Sequence, residues 1–123
     1  MVELSSIVNS CEKLKHAQSY SFKELLHEIA AIKLEFETFS CFIRVIEDLD
    51  EIELISSSII SNLIATNHSL FFHTCYDLKL CWGWKMINNQ GYSDALKFEF
   101  ENNHIVELVV NASSITQYCV SEL

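Results

Sequence analysis

The segment His73-Thr74-Cys75-Tyr76-Asp77 holds the residue types that nucleophilic catalysis requires. A thiol becomes an effective nucleophile when a neighbouring base takes its proton and a carboxylate orients that base. On a strand, His73, Cys75 and Asp77 share one face, but successive side chains on one face stand well apart. No oxyanion-binding group is evident nearby. We therefore expect His73 to be a structural or surface histidine, and we expect that the chain is not an enzyme.

The histidines and glycines of the chain are poorly arranged for cofactors. Zinc needs three or four converging ligands, and no H-x-x-x-H pair exists in the sequence. Phosphate-binding loops need several glycines where the backbone approaches the ligand, whereas Gly83 and Gly91 are the only two. We expect no cofactor and no metal. The histidines considered as ligands are His16, His27, His68, His73 and His104.

The net charge of the chain is −9, from 17 acidic residues against 8 lysines and arginines, and Arg44 is the single arginine. Proteins that bind nucleic acids neutralise phosphates with clustered basic residues, so neither a nucleic acid nor an anionic membrane is an expected partner. The electrostatic field would instead attract a basic protein. The alternative is that the acidic surface only keeps the chain hydrated and dispersed. The oligomeric state stays open.

Two groups of acidic residues are candidates for binding a basic partner. The segment from residue 47 to residue 53 holds five acids in seven positions at a predicted helix junction. It is interpreted either as a hydrated helix cap, where carboxylates interact favourably with the helix dipole, or as a decoy for lysines and arginines of a partner. Cation capture is a third interpretation, but the segment lacks the D-x-D-x-D-G calcium pattern. The second group lines one face of a predicted C-terminal hairpin. The acidic candidates are Glu47, Asp48, Asp50, Glu51, Glu53, Glu99, Glu101 and Glu107.

The motif Trp82-Gly83-Trp84 places two indoles on one face of a predicted strand. Large aromatic side chains usually belong to the core, here beneath the helices. If that face is open, the two tryptophans instead form a binding hot spot. Gly83 leaves the opposite face flat, so another backbone or a ligand could approach there. Trp82 and Trp84 complete the set of predicted partner-binding residues.

Hydrophobic periodicity predicts helices in the first half of the chain. Leu4, Ile7, Cys11 and Leu14 recur at helical spacing. After the capping-box sequence Ser21-Phe22-Lys23-Glu24, steps of three and four continue through residues 22–47, as one long helix or two. A third helix is predicted over residues 52–66.

The period changes to two after residue 70, and this change predicts strands. They are expected at residues 70–76, 78–86, 96–101, 105–110 and 115–120. The predicted fold class is α+β, with the N-terminal helices packed on one face of a C-terminal antiparallel sheet of four or five strands. Residues 1–123 are expected to form a single domain.

The register of the last hairpin follows from burial. A loop of three residues, Asn102 to His104, pairs Phe100 with Val106, Phe98 with Leu108 and Leu96 with Val110. This choice makes one face wholly apolar.

The cysteine pattern and the first residues predict a cytoplasmic protein. An odd number of cysteines without a C-x-x-C pair is unlike an oxidised secreted framework, so reduced thiols are expected. The start of the chain has no basic residue before an apolar stretch, and therefore does not resemble a signal peptide. The cysteines are Cys11, Cys41, Cys75, Cys81 and Cys119.

Three functional interpretations remain. The first is an acidic protein-binding inhibitor that masks a basic partner, such as the cytoplasmic immunity protein of a nuclease toxin. The second arises because the hairpin Phe98-Glu99-Phe100-Glu101-Asn102-Asn103-His104-Ile105-Val106-Glu107 resembles strands of NTF2-like proteins. That resemblance implies small-molecule binding or isomerase chemistry in a closed apolar pocket containing His73 or Asp77. The third is an acidic secretion chaperone, although such a protein is expected to carry helices at both ends.

Overall fold

The computed structural model describes residues 3–46, 49–56 and 62–120, and within them it shows nine strands, one short α-helix and two 3₁₀ turns. The helix α1 spans Leu4–Asn9. The first five strands are β1 Leu14–Phe22, β2 Ala31–Phe36, β3 Ser40–Ile46, β4 Glu51–Ile55 and β5 Leu63–Thr66. The 3₁₀ turn Phe71–Cys75 follows, and then β6 Leu80–Ile87, β7 Ser93–Phe100, the 3₁₀ turn Glu101–Asn103, β8 His104–Asn111 and β9 Ser114–Val120.

The strands form two antiparallel sheets, so the predicted α+β fold is wrong. The first sheet has the order β4-β3-β2-β1-β5, and the second has the order β6-β7-β8-β9. The predicted C-terminal sheet exists, but a second sheet rather than a layer of helices covers it. Of the three predicted N-terminal helices, the described residues retain only the six-residue α1.

The predicted long helix over residues 22–47 is replaced by β2 and β3. In β2 the inward side chains follow the strand period, with Ile32, Leu34 and Phe36 in the core. In β3 the same alternation buries Cys41, Ile43 and Val45. The outward positions are mixed, with Lys33 and Glu35 on β2 but the apolar Phe42 on β3. The inward residues together with such outward apolar residues fall at helical spacing, which explains why the sequence predicts a helix.

Reverse turns are made here without proline and largely without glycine. Non-glycine residues adopt positive φ at seven described positions, and five of them are asparagine or aspartate: Asp50, Asn62, Asp77, Asn102 and Asn103. Their short polar side chains tolerate the left-handed region better than other non-glycine residues do. These turns end strands at points where the sequence lacks the usual glycine or proline signal.

Two further predicted elements also differ. The predicted helix over residues 52–66 is replaced by β4 and β5, and the intervening residues 57–61 lie outside the described residues. The predicted strand over residues 70–76 is a 3₁₀ turn that turns Phe72 into the core. Phe72 is fully buried and lies edge-to-face on Phe98 and Phe100, with ring centroids 5.6 and 6.1 Å apart.

The final hairpin has the predicted faces but a shifted register. Phe98 pairs with Val106, and Phe100 pairs with His104, two residues away from the predicted partners. A shift of two leaves every side chain on its expected face, because side chains alternate along a strand. The apolar face of this hairpin accordingly lies in the shared core.

Candidate protein-interaction face

The histidine, cysteine and aspartate of the 73–77 segment have separate structural surroundings. The His73 Nδ1 accepts a hydrogen bond from the Leu70 backbone N–H at 3.2 Å, and its Nε2 lies 3.2 Å from the Ala17 carbonyl oxygen, where it can donate. Both ring nitrogens of His73 are therefore hydrogen-bonded. The Nε2 contact engages the Ala17 carbonyl of β1, which lies outside the part of β1 that pairs with β5. His73 thus has the structural role that we expected.

The other two members of that segment do not join it in a catalytic group. Cys75 is fully buried, and burial raises the pKa of its thiol to about 11. Asp77 is exposed and bonded to the Lys15 ammonium at 2.7 Å, and this hydrogen bond lowers the pKa of the aspartate. A thiol that holds its proton so tightly is a poor nucleophile at neutral pH.

A cleft beside β1 contains His73 but has the wrong character for the pocket that the NTF2-like resemblance implies. Its volume is about 220 Å³ and it is open to solvent. Asp77 is not part of its wall, and polar side chains, among them His16, Gln18 and His68, line much of it. The remaining described histidines do not provide a metal site either, since the described residues contain no group of three or more potential ligands placed to hold an ion.

The acidic segment lies along the edge strand β4 and is partly engaged within the fold. The Glu51 Oε2 accepts a hydrogen bond from the Ser93 N–H at 2.9 Å, which connects the two sheets. Glu53 pairs with Arg44, with 2.6 Å between Oε1 and Nε. Asp50 is exposed in a turn, while Glu47 and Asp48 lie outside the described residues. In the described part of the acidic segment, the carboxylates of Glu51 and Glu53 are thus engaged within the fold. This part is not the cluster of unengaged carboxylates that a decoy for basic groups would present.

The outer face of the second sheet brings together most of the other predicted partner-binding residues. Cross-strand pairing forms one row across all four strands: Trp84 pairs with Lys97, Lys97 with Glu107, and Glu107 with Tyr118. In the adjacent row, Trp82 pairs with Glu99, and Glu99 pairs with Ile105. We call the residues Trp82, Trp84, Lys97, Glu99, Glu107 and Tyr118 the aromatic–acidic face.

The aromatic side chains of this face are strongly exposed. The exposed fraction is 62% for Trp82, 40% for Trp84 and 51% for Tyr118. Tryptophan and tyrosine at such exposure carry a large apolar area that a partner can cover. Neither the Glu99 nor the Glu107 carboxylate takes part in an ion pair within the described ranges.

The interpretation of the two tryptophans as core residues is wrong, and a β-bulge is the reason. The strand pairing shifts between Leu80 and Trp82, so Cys81 is an extra residue in β6. Leu80 points inward and is 2% exposed, whereas Trp82 points outward. Simple alternation along the strand predicts that Leu80 and Trp82 lie on one face. A bulge inserts one residue and thereby reverses the faces beyond it.

The flat inner side of Gly83 is covered by a side chain of α1, and not by the backbone or ligand that the sequence suggested. A Cβ atom built on Gly83 would lie 2.8 to 2.9 Å from three carbon atoms of the Leu4 side chain. Such contacts are too close for an unperturbed structure, so a side chain at residue 83 would displace Leu4 from its present position. The inner side of Gly83 is thus occupied, and the indoles on either side of it face outward.

Trp84 already lies beside a cation. The Lys97 Nζ is 4.8 Å from the centre of the Trp84 ring, within the range of a cation–π interaction. The indole face of Trp84 is therefore accessible to an ammonium group. A lysine or arginine of another protein could occupy an equivalent position on Trp82.

One predicted residue behaves differently from the rest, and two members of the face, Lys97 and Tyr118, were missed. Glu101 lies in the second 3₁₀ turn, where its Oε1 accepts a hydrogen bond from the Lys79 N–H at 2.6 Å. Its carboxylate is therefore hydrogen-bonded to the backbone just before β6 and is not part of the aromatic–acidic face. Tyr118 was not predicted. Along β9, Ile115 and Gln117 lie on the core side, and Thr116 and Tyr118 lie on the opposite side. Tyr118 could therefore have been assigned to the outer face once the core side of β9 was known.

The fold and this face define a two-sheet β protein with an exposed aromatic and acidic sheet surface. The chain belongs to DUF6334, a family of unknown function, whose family model matches residues 6–123. No curated protein and no solved structure matches the chain. Among the described residues, no helix has the length and apolar composition needed to cross a membrane.

Proposed function

We propose that this protein is a non-enzymatic, protein-binding inhibitor that covers a basic surface of its partner with the aromatic–acidic face. The observation that carries the proposal is the exposure of Trp82, Trp84 and Tyr118 beside Glu99 and Glu107 on one sheet. Binding energy at protein interfaces is concentrated in a few tryptophan, tyrosine and arginine side chains at the centre of the contact. A sheet also holds these side chains in place before binding, which reduces the entropy lost on association.

The charge of the protein supports a basic partner. A net charge of −9 attracts a positively charged protein over a distance of about one Debye length, roughly 8–10 Å at physiological salt. At contact, Glu99 and Glu107 can accept hydrogen bonds from lysine or arginine, and the indoles can receive their cationic groups. Long-range electrostatic attraction and the contacts within the interface therefore both favour a basic protein as the partner.

The immunity protein of a nuclease toxin is the form of inhibitor that we propose, with a cytoplasmic location. A nuclease carries a basic surface for its own phosphate substrate, and that surface is complementary to this face. The five cysteines, an odd number, support a reducing compartment. This proposal requires no cofactor, metal, nucleic acid or membrane.

A second candidate function, binding of a small apolar ligand, has one location that favours it. A cavity of about 290 Å³ lies between α1 and the two sheets, and Leu4, Ile52, Leu54 and Leu96 supply apolar wall. Lys85 and Glu53 also line it and could orient a polar group of the ligand. The aromatic–acidic face has no part in this alternative, so mutations can separate the two functions.

The proposal is tested by affinity capture with three baits from the lysate of the source cells. The baits are the wild-type protein, the double variant Trp82→Ala/Trp84→Ala, and Tyr92→Ala as a control that removes an exposed aromatic residue from a turn. We expect a basic protein to be retained by the wild type and by Tyr92→Ala but not by the double variant. A basic protein retained equally by all three baits, or only neutral and acidic proteins retained through the tryptophans, would contradict the proposal.

A further inference from the structure

The segment that leads into β1 crosses the start of β6 as a short antiparallel ladder. Lys13 forms a bridge with Lys79. The Leu14 N–H donates to the Leu78 carbonyl at 3.0 Å, and the Leu80 N–H donates to the Glu12 carbonyl at 3.5 Å. Cys11 and Cys81 each lie two residues from this bridge and one residue beyond the bonded Glu12 and Leu80, so both cysteines lie at the same end of the ladder.

The end of this ladder is suited to a disulfide. Hydrogen bonds join the positions on either side of Lys13 and Lys79, so the bridge is a non-hydrogen-bonded pair. Cα atoms in a regular pair of this kind are about 4.5 Å apart, and disulfides need roughly 4.4–6.8 Å. Cys11 and Cys81 lie at the next such position, where the left-handed turn at Cys11 and the β-bulge at Cys81 end the regular pairing. Cys11 has a φ of 54°, which ends the ladder here and turns the chain into α1.

The two thiols are accessible and close enough to influence each other. Both cysteines are exposed. The pKa of the Cys81 thiol is raised, first by partial burial, then by the Glu101 and Glu99 carboxylates and also by Cys11. The buried thiols of Cys41 and Cys75 differ, since burial raises their pKa values to about 12 and about 11.

We propose that Cys11 and Cys81 are a thiol-modification site at which a reversible disulfide forms by exchange with a low-molecular-weight disulfide such as oxidised glutathione. One cysteine thiolate attacks a glutathione sulfur, which forms a mixed disulfide and releases one glutathione thiolate. The second cysteine thiolate then attacks the protein sulfur of the mixed disulfide and releases the other glutathione. Two protein thiols are oxidised, one glutathione disulfide is reduced to two glutathione molecules, and these take up the two protons that the cysteines lose.

The bond would connect the end of α1 to the β-bulge that directs Trp82 outward. It closes a long loop between the first helix and the second sheet, so oxidation should stabilise the fold. We expect the melting temperature to rise by roughly 5–15 °C on oxidation. The inference does not depend on the proposed function, because it concerns the two thiols alone.

Peptide mapping tests the proposal directly, because trypsin leaves each cysteine on a different peptide. The purified wild-type chain is equilibrated with oxidised and reduced glutathione at a series of ratios, blocked with N-ethylmaleimide and digested. We expect peptide Met1–Lys13 linked to peptide Leu80–Lys85, with the loss of two hydrogen atoms, to become the main species when oxidised glutathione is in excess. Dithiothreitol should reverse the link.

Three single variants provide the controls. Cys11→Ser and Cys81→Ser should each abolish the linked peptide and the rise in melting temperature, while Cys119→Ser, which removes the third exposed thiol, should retain both. Circular dichroism of each variant establishes that it is folded. Mixed disulfides with glutathione alone, a dimer linked between chains, or a link that persists in Cys11→Ser would overturn the proposal.

Discussion

Phe72 shows how a single side chain closes the core between the two sheets. The 3₁₀ turn carries it inward, where it lies fully buried against Phe98 and Phe100. Its neighbour Phe71 points outward and is 39% exposed. The two phenylalanines are adjacent in sequence but opposite in environment, so they form a matched pair for a stability measurement.

We expect Phe72→Ala to lower the free energy of unfolding by about 3–5 kcal/mol, because it leaves a cavity at the centre of an aromatic cluster. Phe71→Ala should lower it by less than about 1 kcal/mol, since its side chain is partly in contact with water already. Urea denaturation of the two variants provides the comparison. Equal losses would show that the 3₁₀ turn is not oriented as described.

At the scale of elements, the contact between α1 and β6 depends on the absence of a side chain at residue 83. Gly83→Ala should cost about 1–3 kcal/mol, since the new methyl group overlaps the Leu4 side chain. The cost should fall clearly in a Leu4→Ala background, which gives a coupling energy above about 0.5 kcal/mol in a double-mutant cycle.

Gly91→Ala is the control for that cycle. Gly91 has a φ of 88°, and a Cβ atom placed on it would have nothing within 4 Å, so the substitution strains only the backbone. Its cost should be the same with and without Leu4. Additive behaviour of Gly83→Ala with Leu4→Ala would contradict the packing of α1 on β6.

The two glutamates of β4 permit a second stability test. Their contacts change the expectation that the sequence gives for the acidic segment. Uniformly exposed, mutually repelling carboxylates should be replaceable with little loss of stability. In the structure, however, Glu51 bonds to the Ser93 backbone of the other sheet, whereas Glu53 pairs with Arg44 on the surface. Glu51→Ala should therefore cost about 1–3 kcal/mol and Glu53→Ala about 1 kcal/mol or less in chemical denaturation. The reverse order would show that β4 does not hold the sheets together through Glu51.

The elements that the sequence predicts correctly are those with strict alternation and clear turns. The segments 96–101 and 105–110 alternate, and the asparagines between them mark the turn, so β7, β8 and their buried faces are predictable. Residues 22–46 are not, because inward residues of β2 and β3 such as Ile32 and Ile43, together with outward apolar residues such as Phe42, also fall at helical spacing. The left-handed asparagines and aspartates also conceal turns from a search for glycine and proline.

The aromatic–acidic face shows the same division between what the sequence predicts and what it does not. The types of its residues are informative, since alternating carboxylates and paired indoles are visible in the sequence. Their placement depends on the bulge at Cys81, which shifts Trp82 from the core face to the outer face. A bulge depends on pairing between distant strands, and no local pattern around Trp82 indicates it.

At the scale of the whole molecule, charge should control how fast the partner arrives. Glu99→Lys/Glu107→Lys changes the net charge from −9 to −5 and places the reversal within the aromatic–acidic face. We expect association with the basic partner to slow by about tenfold or more at low ionic strength, and the difference should shrink as salt is added. Surface plasmon resonance separates the association and dissociation rates. Reversal of two exposed acids outside the face, Glu3 and Glu24, gives the same net charge, and it should slow association less.

An association rate that is insensitive to salt and to both pairs of reversals would remove the electrostatic part of the account. The apolar cavity beside α1 would then be the next location to test, with ligand-induced shifts in melting temperature as the readout.

The two outward indoles should anchor the partner, and the dissociation constant of the captured partner measures their contribution. Trp82→Ala and Trp84→Ala should each weaken binding by about 30-fold or more, which corresponds to about 2 kcal/mol or more, mainly through faster dissociation. Their free energies of unfolding should stay close to that of the wild type, because both side chains lie on the outer face. Dissociation constants of both variants within about twofold of the wild-type value would contradict the account.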